Sequence, residues 1–162
     1  MPRAIRVVAA AERGDRPVAD TLILDYAQRG AQTLSVAGVK GGYYDIDLPA
    51  PARLRTDDLL ELDDGRLLEV VAAAEPLLEA RAADLTELTR LAWQLGDRHV
   101  PVQILTNRLR VRREPALETL LAALGAKTTA IEAPFEPEGG AYASTHAHGY
   151  GHGHHDHHHH DH

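Results

Sequence analysis

The order of helix and strand signals in the second half of the chain is the feature that most constrains its fold. Asp84, followed by Glu87 three residues later, forms a capping-box pattern, and Pro115 suits the first turn of a second helix. Apolar residues recur at helical spacing after both signals, at Leu85, Leu88, Ala92 and Leu95 and again at Leu117, Leu120, Leu121 and Leu124. Gly96 and Gly125 are the residues expected to stop the helices. Trp93, inside the first helix, is expected to pack.

Strand signals surround the two helices. The segments expected to be strands are Val100–Leu105, Leu109–Arg112 and Lys127–Ala133. The first two join near Thr106-Asn107. If Leu77–Ala80 is also a strand, the order is βαββαβ, which is the ferredoxin-like arrangement, expected here over residues 76–138. That fold hosts many functions, so the order of elements selects none of them.

Residues 1–75 carry short β-rich segments separated by turns. Strands are expected at residues 5–10, 21–24, 43–46, 59–62 and 66–71. The last two flank Asp64-Gly65, a strong two-residue hairpin signal. The sequence therefore predicts an α+β protein with an all-β N-terminal domain and a ferredoxin-like second domain.

Charge and composition exclude several classes of function. The formal net charge of −7 argues against nucleic acid as the main partner, because phosphate binding needs a positive surface. No run approaches the ~18–20 apolar residues of a membrane span. The start of the chain lacks the apolar stretch of an export signal, and there is no cysteine, so a cytoplasmic location is expected.

A local cluster of arginines departs from the acidic average. Arg108, Arg110 and Arg112 would share one face of a strand. A solvated strand face is the simpler interpretation. A docking patch for an acidic protein partner is the alternative, and the sequence leaves both open.

Histidine dominates the end of the chain, where residues 139–162 are rich in glycine and histidine and are expected to be disordered without metal. Ten of the eleven histidines lie here, at His146, His148, His152, His154, His155, His157, His158, His159, His160 and His162. Neutral imidazole is a good ligand for nickel, copper and zinc. Copper(II) should bind tightest by the Irving–Williams order, so composition does not select nickel. A purification tag is the alternative, but the enrichment starts well before the His157–His160 run.

His99 is the one histidine outside this tail. It follows the first predicted helix and precedes a strand. A lone histidine is usually structural or merely exposed, but a symmetric dimer would place two copies across its axis. Catalysis is not expected, because Ser35 and Ser144 lie outside any nucleophile elbow and no zinc-protease or P-loop motif occurs.

Two further stretches resemble the UreE family of urease accessory metallochaperones. They are Leu91–Gln103, which contains Trp93 and His99, and Glu132–Tyr142. The family usually has Asn at the position of Asp97, and often His at that of Gln94. With the tail, the resemblance covers essentially the whole chain.

The resemblance implies a nickel chaperone that delivers Ni(II) for assembly of the urease active site. It implies a homodimer, or a tetramer with metal, in which His99 holds nickel between subunits. Its expected partners are the urease accessory GTPase and the apo-urease complex, while Zn(II) or Cu(II) could also bind. Accessory histidines that some members carry near Arg112 and Arg113 are missing here. The alternatives are a nickel or zinc storage protein that uses the tail, and an adaptor whose β domain binds peptide.

Overall fold

The computed structural model describes residues 1–140, and a six-stranded sheet occupies the N-terminal half. Its strands are β1 (Arg3–Val8), β2 (Val18–Leu24), β3 (Thr33–Ala37), β4 (Tyr43–Asp47), β5 (Leu59–Leu62) and β6 (Leu67–Ala72), in the order β2-β6-β5-β1-β4-β3. A 3₁₀ turn, Ala10–Glu12, and a short helix α1, Tyr26–Arg29, interrupt the strands. The β-rich prediction is confirmed, although β3 and α1 were not predicted.

The hairpin between β5 and β6 forms where the sequence places it. Gly65 adopts φ +87°, which only glycine adopts without a steric cost, and the Leu62 N–H donates to the Arg66 carbonyl at 2.8 Å. The two strands pair antiparallel. Alternate residues of this sheet, among them Leu22, Ile46 and Leu68, are buried in one core. The period-two burial explains why the β pattern was legible in the sequence.

A second, four-stranded sheet follows, with two helices packed on it. Its elements are β7 (Ala74–Arg81), α2 (Leu85–Asp97), β8 (Gln103–Leu105), β9 (Arg108–Arg112), α3 (Pro115–Ala123) and β10 (Lys127–Pro134). The strands lie in the order β10-β7-β9-β8, and every neighbouring pair is antiparallel. This confirms the predicted βαββαβ, ferredoxin-like arrangement.

The buried face of α2 differs from the predicted one at two residues, Leu85 and Trp93. Leu88, Leu91 and Leu95 form the buried stripe of α2, and they pack on β7 and β9. Leu85 is 67% exposed and Trp93 is 65% exposed, so neither is a core residue. Trp93 is two positions from Leu91, about 200° around the helix, and therefore lies away from the stripe. The Asp84 cap is confirmed, because its carboxylate accepts from the Glu87 N–H at 2.8 Å.

Strand β8 is shorter than predicted, starting at Gln103 and not at Val100. Pro101 has no N–H to donate to a ladder, which explains why pairing begins only after it. Val100 and Val102 still contribute to the core below α2. The Val102 carbonyl accepts from the Glu138 N–H at 2.8 Å, which fixes the segment after β10 beside the start of β8.

A buried arginine joins the two sheets. Arg29 is 1% exposed and donates to the carbonyls of Leu24 and Phe135, and at 3.4 Å to that of Leu54. Its guanidinium lies 3.7 Å from Glu136. Burial lowers the pKa of Arg29, while the Glu136 and Glu75 carboxylates raise it. The segment that precedes the histidine tail is therefore attached to both halves of the described chain.

No helix within residues 1–140 combines the length and apolar character needed to span a membrane. The ten tail histidines, and the expectation of disorder there, lie outside the described residues.

Candidate metal site

The residue that follows the C-cap of helix α2 is His99, and its backbone is left-handed. Arg98 is the C-cap, and His99 follows with φ +58°. The His99 N–H donates to the Gly96 carbonyl and the Val100 N–H to the Leu95 carbonyl, both at 3.0 Å. This pair of bonds is the Schellman motif. The prediction that Gly96 stops the helix is wrong, since Gly96 lies within its last turn.

Helix α3 ends in the same motif but uses glycine. Gly125 has φ +79°, its N–H donates to Ala122 at 3.1 Å, and the Ala126 N–H donates to Leu121 at 3.0 Å. A non-glycine residue in this conformation costs about 1 kcal/mol or more, because its Cβ crowds the neighbouring carbonyl. His99 thus occupies a position where glycine would be more stable. Such a residue is a candidate for function.

The imidazole lies beside a small cavity. His99 is exposed, and it lines a cavity of about 170 Å³ together with Val100, Pro101, Arg112, Glu114 and Leu117. The apolar members of this set come from the turn after α2 and from α3. The charged members, Arg112 and Glu114, follow from the end of β9 and lie 3.5 Å apart. The fold therefore brings one imidazole, one guanidinium and one carboxylate to the same wall.

The end of α2 adds a favourable field for a cation. The last carbonyls of a helix carry a partial negative charge, and this favours a cation near them. Arg98 already uses part of it, because its Nη1 donates to the Gln94 carbonyl at 3.1 Å and to the Gln94 side chain at 2.5 Å.

The described residues of one copy do not form a complete metal cage. Within residues 1–140, no group of three or more His, Asp or Glu side chains is arranged to hold an ion. Metal ions in proteins take four or more ligands, so a single imidazole with one carboxylate would leave positions open. A complete metal site centred on His99 would therefore need ligands beyond the described residues of one copy.

The arginine cluster of β9 is partly explained. Register with β7 places Arg108, Arg110 and Arg112 on one sheet face, as predicted. Arg108 and Arg110 both contact the Glu79 carboxylate at 3.1 Å. Burial would raise the pKa of Glu79, but hydrogen bonds from Arg110 and Arg81 outweigh it and hold that pKa below its usual value. The docking role for an acidic partner stays a prediction.

Sequence reasoning missed the neighbours of His99. The sequence placed Arg112 on a strand face or in a docking patch, and in a stretch where accessory histidines are missing, but not beside His99; Glu114 was not singled out. The Arg112 guanidinium also lies 4.7 Å from the ring centroid of Tyr26, a residue of the other sheet's helix α1. The only local sign of this pair is that Arg112 and Glu114 are separated by one residue just before Pro115, so that their side chains are close in sequence. The contact between Arg112 and Tyr26 joins the two halves of the described chain, and no local sequence pattern predicts it.

Comparison with known protein families covers both halves of the chain. Residues 3–73 match the model of the UreE urease accessory protein N-terminal domain, and residues 75–162 match that of its C-terminal domain. A urease accessory protein UreE of Bradyrhizobium sp. strain BTAi1 is 50% identical over 148 residues, covering 91% of this chain and 71% of the relative.

Other relatives agree. A Rhodopseudomonas palustris strain BisB18 protein with the same description is 49% identical over 136 residues, covering 84% of this chain and 64% of the relative. One from Rhodobacter capsulatus is 41% identical over 144 residues, covering 89% and 88%.

Proposed function

We propose that this chain, which belongs to the UreE family of urease accessory proteins, binds Ni(II) at His99 and passes it on for urease maturation. The observation that carries the proposal is the conformation of His99. An exposed imidazole occupies a left-handed helix end that would favour glycine, while α3 uses Gly125 in the same motif. Keeping histidine there lowers the stability of the fold, which is expected where the side chain has a function.

A homodimer supplies the missing ligands. A two-fold axis near the end of α2 would bring two His99 side chains to one ion, in a dimer or, with metal, a tetramer. Trp93 and Leu85 support this arrangement, because both are large apolar side chains left exposed on the same helix. Aromatic residues are enriched in protein interfaces. Two imidazoles with open positions suit a carrier, since the ion can leave by ligand exchange.

The histidine tail serves as a collector for the same site. Its ten histidines begin at His146, and the chain before them is fixed where Glu138 bonds to Val102, three residues after His99. The eight residues from Glu138 to His146 can span at most ~26–29 Å. The tail is therefore attached close enough for its histidines to reach His99 of the same copy. Zn(II) and Cu(II) are expected to bind the tail as well.

Delivery needs acceptors, and we assign these as the urease accessory GTPase and the apo-urease complex. Nickel passes between imidazoles and the acceptor's ligands without covalent catalysis by this chain. The second candidate function is nickel or zinc storage, which the concentration of ten histidines in one segment favours. The two functions differ in their dependence on His99.

The test compares His99→Ala, a truncation after Tyr142, and the single tail change His146→Ala as a matched control. Urease activation and nickel stoichiometry are measured for each. Delivery through His99 predicts that His99→Ala strongly reduces activation while the protein still binds several nickel ions. The truncation should lower stoichiometry most, and His146→Ala should change little. Full activation by His99→Ala would refute delivery and favour storage.

A further inference from the structure

Two charged residues beside His99 form a pair with no assigned role. Arg112 and Glu114 line the His99 cavity and lie 3.5 Å apart. Their side chains are 36% and 49% exposed, so both reach solvent and the cavity. Glu114 is the N-cap of α3, but among the described residues its carboxylate makes no capping hydrogen bond. The Glu114 carboxylate instead lies 3.5 Å from the Arg112 guanidinium.

The Arg112 guanidinium is held in place from the other sheet. It lies 4.7 Å from the ring centroid of Tyr26, and Arg53 lies over the same ring at 3.9 Å. The Tyr26 N–H donates to the Glu75 carboxylate at 2.9 Å, and its ring packs 5.2 Å from that of Phe135. A guanidinium over an aromatic face is attracted to it. The contact with Tyr26 therefore favours a position of the Arg112 guanidinium beside the cavity.

A divalent ion at His99 would meet both members of this pair. Nitrogen and oxygen ligands together suit Ni(II), so the Glu114 carboxylate is a ligand of suitable chemistry in the same cavity. Arg112 should weaken metal binding in two ways, because its positive charge repels the cation and because it pairs with the Glu114 carboxylate. We propose that Glu114 is a second metal ligand beside His99, and that Arg112 is a positioning residue that weakens the site by holding this carboxylate.

The consequence is an exchangeable site. With Arg112 present, nickel must draw Glu114 away from a guanidinium that also contacts Tyr26, and on release the carboxylate returns to it. The inference rests on the proposed nickel site at His99. It adds the reason why that site releases its ion.

The experiment uses the 162-residue chain with all ten tail histidines changed to glutamine, so that only His99 supplies imidazole. Ni(II) affinity is measured by calorimetry for Arg112→Gln, Glu114→Gln and the double variant. Arg113→Gln is the matched control, since it removes the same charge one residue away and Arg113 does not line the cavity. Arg112→Lys tests whether charge alone suffices.

Arg112→Gln is expected to tighten nickel binding about three- to tenfold, with a smaller effect at high salt. Glu114→Gln should weaken nickel binding by a similar factor. In the double variant, where Glu114→Gln is already present, Arg112→Gln should change the nickel affinity clearly less than it does alone. Arg113→Gln should stay within about twofold of the parent. If Arg112 has only a structural role, Arg112→Gln should change the melting temperature, and its effect on nickel affinity should be the same with and without Glu114→Gln.

Equal effects of Arg112→Gln and Arg113→Gln, or unaltered affinity in Glu114→Gln, would overturn the inference. His99→Ala in the same background separates this failure from that of the proposed function. If His99→Ala abolishes nickel binding while the pair has no influence, only the inference fails. If His99→Ala leaves binding intact, the proposed site itself is wrong.

Discussion

Replacing His99 by glycine should stabilise the fold while it removes the proposed ligand. The residue has φ +58° in a Schellman motif whose two hydrogen bonds are both 3.0 Å long. Those bonds use backbone atoms only, so glycine preserves them. Most ligand substitutions are neutral or destabilising, which makes this one an unusual test of whether strain is retained for function.

The magnitude follows from two opposing contributions. Relief of the left-handed conformation is worth about 1–2 kcal/mol. Glycine also makes the unfolded chain more flexible, which lowers stability by about 0.4–1 kcal/mol relative to alanine. His99→Gly should therefore be about 0.5–1 kcal/mol more stable than His99→Ala. For a chain of this size that difference raises the melting temperature by about 1–4 °C.

Thermal and urea unfolding of the metal-free protein would measure this difference, with Gly125→Ala as the reciprocal variant. Gly125 has φ +79° in the same motif, so alanine there should destabilise by about 0.5–1 kcal/mol. Both His99 variants should lose the nickel site equally. If His99→Gly is less stable than His99→Ala, the left-handed backbone at residue 99 does not strain a non-glycine residue, and keeping histidine there is no sign of function.

Three further predictions concern other parts of the chain. Arg29→Met should destabilise by about 3–5 kcal/mol in urea unfolding, because it leaves buried carbonyls without donors, whereas the exposed Arg90→Met should stay within about 0.5 kcal/mol. Burial would raise the pKa of Asp20, but hydrogen bonds from the Lys40 and Thr21 N–H groups and the Tyr44 hydroxyl outweigh it and hold that pKa below its usual value. The stability from Asp20 is therefore complete above the unfolded pKa of about 4 and is lost as pH falls below it, so melting temperatures from pH 7 to pH 3 should fall less steeply in Asp20→Asn. Trp93→Ala should leave the unfolding of the single chain nearly unchanged but shift the proposed dimer towards monomer in light scattering, and an unchanged oligomeric state would contradict a role for Trp93 in the proposed interface.

Local patterns predicted most of the fold because local physics determines it here. The helix start at Asp84, the hairpin at Asp64-Gly65 and the four strands around the helices each depend on a few neighbouring residues. The errors occur where a local signal competes with packing. Gly96 resembles a stop, yet burial of Leu95 and Val100 against the same core carries the helix on until His99 takes the left-handed position.

The candidate site was only partly predictable for the same reason. His99 could be singled out because it stands apart from the tail, and a family resemblance gave it a role. Its surroundings depend on contacts between residues far apart in sequence, such as Tyr26 with Arg112. Nothing in the sequence around Tyr26 indicates that contact, since it arises only when the short helix α1 lies against the second sheet. The buried Arg29 was missed on the same grounds.

One four-residue segment links the proposed ligand His99, the second core and the segment that leads to the tail. Residues 99–102 supply the His99 imidazole, place Val100 and Val102 in the core below α2, and through the Val102 carbonyl fix Glu138. The positions of the proposed ligand and of the start of the tail therefore depend on the same core side chains. A change that loosens this core, such as truncation of Val102, should disturb both the His99 geometry and the starting point of the tail. We therefore expect the proposed metal transfer between tail and His99 to depend on the stability of the second core.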